Sequence, residues 1–404
     1  MRSVAAGIKR KVGRSVAKVY SSIAGKDLKT SLPHAVLEHE GHHVFFGYYD
    51  KQPFRDGRTL AHAVPTGSRE DSKIKLGYFQ TDVTGPTGAG FTKVAETELW
   101  NWQQGSRLMW HPTARESILY NSLEGGRAQT VIQNLSSAEK TRIPFPTYDI
   151  SSDGKHLLSL DFHELALMRP GYGYPALDAA STPEETKGRI LVVEAQTGRI
   201  RFSILREQLR DHLPADVPAE TGYFNHLSFS PGGKNFVFYF IATAGKKRLT
   251  YAFVCDVGTQ ELRILSQAGF MSHYTWVDDE NLIIFTKLRG VPSYVKYRLG
   301  PGPTQDVFFE DFTLDGHPTF VEGRLITDCY PQWPTNEQTL YELWPGKGPR
   351  VLATFLTPLE FTGDVRCDLH PRVHKLRDGE LLLCCDFPSY SSRVRKMALV
   401  RARY

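Results

Sequence analysis

Asn225–Phe240, NHLSFSPGGKNFVFYF, decides the fold. A polar start leads into a short run, Pro-Gly-Gly breaks it, and a continuous apolar run follows. That order predicts a short strand, a tight turn and a second, more deeply buried strand. The phrase occurs seven times. The other copies are Asp50–Val64 (DKQPFRDGRTLAHAV), Gly105–Tyr120 (GSRLMWHPTARESILY), Pro146–Leu160 (PTYDISSDGKHLLSL), Ser272–Phe285 (SHYTWVDDENLIIF), Gly316–Thr327 (GHPTFVEGRLIT) and Asp368–Cys385 (DLHPRVHKLRDGELLLCC). Further strand-like runs, such as Arg189–Glu194, Leu249–Asp256 and Tyr294–Leu299, lie between them. Seven units of roughly 40–55 residues predict an all-β fold, a seven-bladed β-propeller over residues 31–404. A β-sandwich or two β-domains is the alternative. Ala179–Gly188 and Leu213–Glu220 read as inserted loops, and His43–Phe46 is expected to close the ring as an outer strand of the last blade.

Composition agrees. With 404 residues, 41% hydrophobic and 23% charged, the chain is neither disordered nor a small disulfide scaffold. Its net charge is +5, but residues 1–26 hold Arg2, Lys9, Arg10, Lys11, Arg14, Lys18 and Lys26 and no acid. The body therefore carries 5 − 7 = −2, which argues against a nucleic-acid-binding body. Val4, Ile8, Val12, Val16 and Ile23 recur at helical spacing among those cations. Residues 1–30 are thus expected to form a basic amphipathic N-terminal helix on an anionic membrane surface, the alternative being a solvated end. Gly7 and Gly13 each weaken such a helix by about 1 kcal/mol. The five cysteines form no C-x-x-C pair, no run is long and apolar enough to span a bilayer, and residues 1–26 lack a signal-peptide core. A cytoplasmic location, peripheral at the inner membrane face, is the expectation. Oligomeric state is not readable.

The copies align on an apolar anchor: Phe54, Trp110, Ile150, Phe229, Trp276, Phe320 and Val373. Three residues earlier stand Lys51, Arg107, Thr147, His226, His273, His317 and His370. The innermost strands of a propeller converge on its channel, so this column predicts four histidines at one mouth. Only 14 of 404 residues are His, so scatter does not account for four in one column of seven. Three imidazoles can bind a divalent metal such as Mn, Fe or Zn; one can act as a general base near neutral pH. Asp50, Asp315 and Asp368 lie beside the column. Arg107 and Arg372 are placed to pair with a substrate carboxylate or phosphate. Tyr48, Tyr49, Tyr148, Tyr223, Tyr274 and Tyr330 add rings near the same face. Arg169–Tyr174 (RPGYGY) reads either as a loop presenting two rings for sugar stacking or as a plug over an insertion. Trp100–Gln104 (WNWQQ) lines an entrance or packs between blades.

NHLSFSP, SHYTW and a late His motif resemble the oligogalacturonate lyases, seven-bladed propellers. That resemblance implies His226 as the base taking the uronate C5 proton, His273 and His370 as metal ligands, His317 as a possible ligand, and manganese before zinc as the cofactor. The family's Gln followed by an H-x-H run is absent, since Cys367–Arg372 reads CDLHPR. The phrases GYYD, WQQGSRL, RPGYGY, GYFNHLSFSP and DLHPR resemble an uncharacterised propeller family found among bacterial capsule, lipopolysaccharide and exopolysaccharide genes. This resemblance covers nearly all of residues 40–390 and brings no activity with it.

Three functions follow as expectations. The first is a lyase acting by β-elimination on an acidic, uronate-containing oligo- or polysaccharide. Arg107 or a His-bound metal would neutralise the carboxylate, His226 would be the base, and Tyr223 or water the acid. Asp50, Lys51, Arg169, Tyr172 and Arg372 would bind substrate. The second is a non-catalytic glycan-binding or assembly scaffold at the membrane. The third is a metal-dependent hydrolase or transferase on lipid-linked glycans.

Overall fold

In the computed structural model, residues 27–69, 72–81, 90–245, 247–299, 304–309, 311–377 and 379–403 are described. Their strands form seven antiparallel sheets arranged as the blades of a β-propeller. The expected N-terminal helix lies outside the described residues.

The second strand of each blade explains the continuous apolar runs. Such a strand is covered on both faces by neighbouring blades, so burial does not alternate. In Asn235–Ala244 the first eight residues are all buried, and Glu380–Pro388 is buried beyond its first residue. In blades one and six a two-residue turn, an acid followed by Gly, joins the first and second strands. Asp56 and Gly57 have φ of 49° and 72°, and Glu322 and Gly323 have 47° and 81°. Two consecutive positive φ values match the right-handed twist of a hairpin.

The ring is closed differently from expectation. His34–Leu37 pairs with Arg395–Arg403 as the outermost strand of blade seven, His34 opposite Val400. Leu28–Lys29 adds a fifth strand to blade six, against Arg350–Leu356. His42–Phe45 instead belongs to blade one, pairing with Arg58–Pro65. Phe54–Arg55 pairs with that same strand. The innermost strand of blade one is therefore split, and residues 46–53 (FGYYDKQP) bulge from it into the channel as a plug.

Blade seven holds the plug. The Asp386 carboxylate accepts the backbone N–H of Phe46 and Gly47, each at 3.0 Å. The Gly47 carbonyl accepts from Arg372 at 3.0 Å. Gly47 has φ of 121°, and a Cβ there would lie 2.9 Å from the Gln104 backbone, so only glycine passes.

The insertion after the second strand of blade three contains a short helix, Phe162–Met168, whose N-cap Asp161 accepts Glu164 N–H at 2.8 Å. It and the segment 206–222 sit on the face where the innermost strands begin.

Candidate functional site

The column residues are delivered by bulges. Register shifts between Asn225 and Ser228 in blade four, and between Met271 and Tyr274 in blade five. Arg107, His226 and His370 adopt left-handed φ of 55°, 53° and 46°. This region costs a non-glycine residue about 1–3 kcal/mol, so surrounding bonds must hold it. Around His226 they do. Its N–H donates to the Tyr148 hydroxyl at 3.1 Å, and its carbonyl accepts from the Tyr274 hydroxyl at 2.6 Å.

The four histidines meet. Ring centroids are 4.1 Å apart for His273 and His317, 4.3 Å for His317 and His370, and 6.1 Å for His226 and His273. Tyr48 of the plug stacks on His226 at 5.3 Å and meets His370 edge-on at 4.9 Å. Tyr49 is anchored by its hydroxyl, which donates to the Tyr274 carbonyl at 2.8 Å and accepts the Tyr274 N–H at 3.1 Å.

Three imidazoles share one arrangement. His317 Nδ1 lies 2.9 and 3.0 Å from the two Asp328 oxygens, His370 Nδ1 2.8 Å from the Gly47 carbonyl, and His273 Nδ1 3.2 Å from Asp315 Oδ1. An acceptor at Nδ1 places the proton there and leaves the Nε2 lone pair available. The Nε2 atoms of His317 and His370 are buried without a hydrogen-bond partner. Each such atom costs about 1–3 kcal/mol unless something fills the space. Ligand atoms of His317, His370 and Asp368 all lie within 4.8 Å of one another. Two orphaned imidazole nitrogens and a carboxylate fit a borderline divalent cation. Asp368 is also held by Arg366 Nε at 2.7 Å.

Burial is the largest influence on each ring. It pushes His226 and His370 well below the usual histidine value, helped respectively by His273 and His317, and lowers His273 too. His317 is raised: burial opposes its charge, but Asp328, Asp368 and Asp315 together outweigh burial. His226 is thus neutral at pH 7.

No family model matches the chain, and no curated protein matches it in sequence. Among solved structures, oligogalacturonate lyase from Vibrio parahaemolyticus aligns with a TM-score of 0.58 at 12% identity, over 92% of this chain and 97% of that one. The propeller domain of the trilobed protease from Pyrococcus furiosus gives 0.51 at 8% identity, over 91% and 96%. An oligogalacturonate lyase in complex with manganese gives 0.37 at 14% identity, over 83% and 96%. The shared feature is the propeller. At such identities the likeness shows the fold alone.

The plug divides what the sequence suggested was one site. Asp50 and Lys51 do not join the histidines. They line a cavity of about 460 Å³ with Gln52, Asp149, Tyr274 and Trp276, and none of the four histidines borders it. Lys51 bridges Asp149 and, at 3.7 Å, Asp50. Arg107 is buried, donates to both Asp50 oxygens at 3.2 and 2.7 Å, and lies 4.4 Å over the Tyr148 ring. Arg372 is fully buried and gives its guanidinium to Asp386 and the Gly47 carbonyl. Both guanidiniums are buried and ion-paired within the wall. Asp50, on the blade-one plug, neutralises Arg107 of blade two, and Asp386, on the next strand of its own blade, neutralises Arg372.

Arg169 is the exception. It is partly exposed, lies 5.2 Å over the Tyr172 ring, and lowers the His226 pKa. Tyr172 meets His226 edge-on at 5.6 Å, and its hydroxyl accepts from Arg366 at 2.8 Å. Tyr172 and Tyr174 are both buried, so RPGYGY is a plug in the wall and presents no ring. Tyr223 is buried three residues before His226, and burial raises its phenol. Trp100 and Trp102 pack edge to face at 4.8 Å in the core of blades one and two.

Asp328 and Arg366 were missed. Asp328 had a signal. It ends the apolar second strand of blade six as Asp386 ends that of blade seven, and each carboxylate grips the channel segment above it.

Proposed function

We propose that this propeller is a glycan-processing enzyme, an oligo- or polysaccharide lyase that cleaves a uronate-containing chain by β-elimination at its histidine cluster. The observation that carries the reading is the set of anchored imidazoles with unpartnered Nε2 atoms beside Asp368. His317, His370 and Asp368 would hold a divalent cation, manganese in the first instance, with His273 against His317. Bound there, the cation would neutralise the uronate carboxylate and acidify the C5 proton. Arg169 would bind that carboxylate from the partly exposed side. His226, neutral and held in place by Tyr148 and Tyr274, takes the C5 proton on an imidazole nitrogen. The C5–H pair becomes the C4–C5 double bond, the C4–O bond breaks, and the leaving oxygen is protonated by Tyr223 or water. We place this activity in bacterial surface-polysaccharide metabolism, at the cytoplasmic side of a membrane met through residues 1–26.

The test is His226→Ala assayed on uronate oligosaccharides by absorbance of the 4,5-unsaturated product. A loss of roughly 10²–10⁴ in kcat is expected. Wild-type turnover would remove His226 from the mechanism. A second reading, a non-catalytic glycan-binding or assembly scaffold, is favoured by one observation: Arg107 and Arg372 are both engaged in the wall.

A further inference from the structure

Antiparallel blades put the connections between second and third strands, and those between blades, on the face where the innermost strands begin. That is also the face near which the histidines lie. Nine large hydrophobic side chains are exposed among the described residues, and six stand on these connections: Leu167, Met168, Phe270, Val291, Trp333 and Val365. They come from blades three, five and six and from the joints between four and five and between six and seven, so they are spread around the face and do not line a groove.

Charge on this rim is uneven: segment 206–222, which touches 265–271, carries the exposed Glu207, Asp211, Asp216 and Glu220, and the cations gather beyond it. The neighbouring segments 244–250, 265–271 and 287–293, from blades four and five, contain no Asp or Glu. They present Lys247, Arg248, Lys287 and Arg289, all exposed. Lys247, Arg248 and Arg289 make no ion pair among the described residues, and Lys287 lies 4.9 Å from the Phe270 ring centre. Arg169 and Arg248 both act on Tyr223, which puts the end of the Phe162–Met168 helix beside the same edge. That helix's one acid, Glu164, pairs with Arg206 at 2.5 Å. Apolar tips beside unpaired cations suit the interface of an anionic bilayer, where aliphatic groups enter the acyl boundary and cations stay with headgroup phosphates.

We infer that this rim of the propeller, centred on blades four and five, docks on an anionic membrane surface independently of residues 1–26. Docking turns the histidine mouth of the channel toward the lipid.

The test uses the full chain and vesicles of phosphatidylcholine with a quarter phosphatidylglycerol, against pure phosphatidylcholine. The triple reversal Lys247→Glu, Arg248→Glu, Arg289→Glu should weaken binding to the anionic vesicles by about tenfold or more with the tail intact. The matched reversal Lys140→Glu, Lys155→Glu, Lys234→Glu, on the opposite face, should leave it unchanged. All five native cysteines are buried, so Val291→Cys can be labelled selectively with an environment-sensitive dye. Its emission should shift to the blue on anionic vesicles, while the same dye at Val351→Cys, on the opposite face, should not respond. Unchanged binding by the rim triple, no response at residue 291, or no binding of the native chain to anionic vesicles each overturns the proposal. Thermal unfolding of each variant separates a docking defect from misfolding.

Discussion

Blades one to three and blades five to seven present the same strand position to the channel, but they complete it differently. In the first group each column side chain has a protein partner. Lys51 has Asp149, Arg107 has Asp50, and the Thr147 hydroxyl meets Thr130 at 2.5 Å. In the second group only one nitrogen of each imidazole is tied down, and in His317 and His370 the other is orphaned. A fully paired buried charge holds a wall together; a half-paired histidine leaves bonding capacity aimed at something else. The difference separates paired from half-paired members of one repeat position.

The sharpest way to break the comparison is to turn a paired wall charge into an unpaired one. Asp386→Ala strands the fully buried Arg372 and two N–H groups of the plug. A stability loss of about 3–5 kcal/mol is expected by denaturant unfolding. A loss under 1 kcal/mol would mean that the wall charges do not hold the plug.

The next test uses acid. His62 is buried between blades one and two, where Ser106 N–H donates to its Nε2 at 3.0 Å. Burial lowers its pKa to about 4, against the weaker opposing pull of Asp386. The folded state thus favours the neutral ring. The stabilisation is complete above the unfolded value near 6.5 and is lost as pH falls through 6.5 towards 4, a total of about 3 kcal/mol. Unfolding midpoints between pH 7 and 4 should fall steeply in the native chain and less in His62→Gln. Parallel slopes would assign the acid sensitivity elsewhere.

The smallest effect sharpens the functional half. Asp328→Asn keeps the shape but removes the carboxylate that orients His317. Manganese affinity, by calorimetry, should weaken about 10–100-fold. Equal affinity in both proteins would detach the cluster from metal binding.

Much of this was legible in the sequence because a blade is a local object. Copies such as NHLSFSPGGKNFVFYF carry a strand, its turn and its partner within sixteen residues, and the histidine column follows from aligning them. What lay beyond a single copy of the phrase was not legible. Arg107 looked free because its Asp50 partner sits 57 positions away on the plug, and Arg372 because Asp386 belongs to a different strand. The plug hid for another reason. GYYD lies next to an ordinary strand phrase, and nothing local says that the chain leaves its strand for eight residues between Phe45 and Phe54. Ring closure was misassigned because His34–Leu37 and His42–Phe45 are equally plausible short strands, and only their distant partners tell them apart.

The grip of Asp386 on Phe46 and Gly47 also sets an order of events during synthesis. The plug is translated before blades two to seven, but the carboxylate that seats it arrives about 340 residues later, with the second strand of blade seven. His370 comes from that same late portion, and its Nδ1 takes the carbonyl of Gly47. A nascent chain that has already built blades two to five therefore carries neither a seated plug nor a finished histidine cluster. The channel chemistry matures in the last stage of folding, when the first and final blades meet.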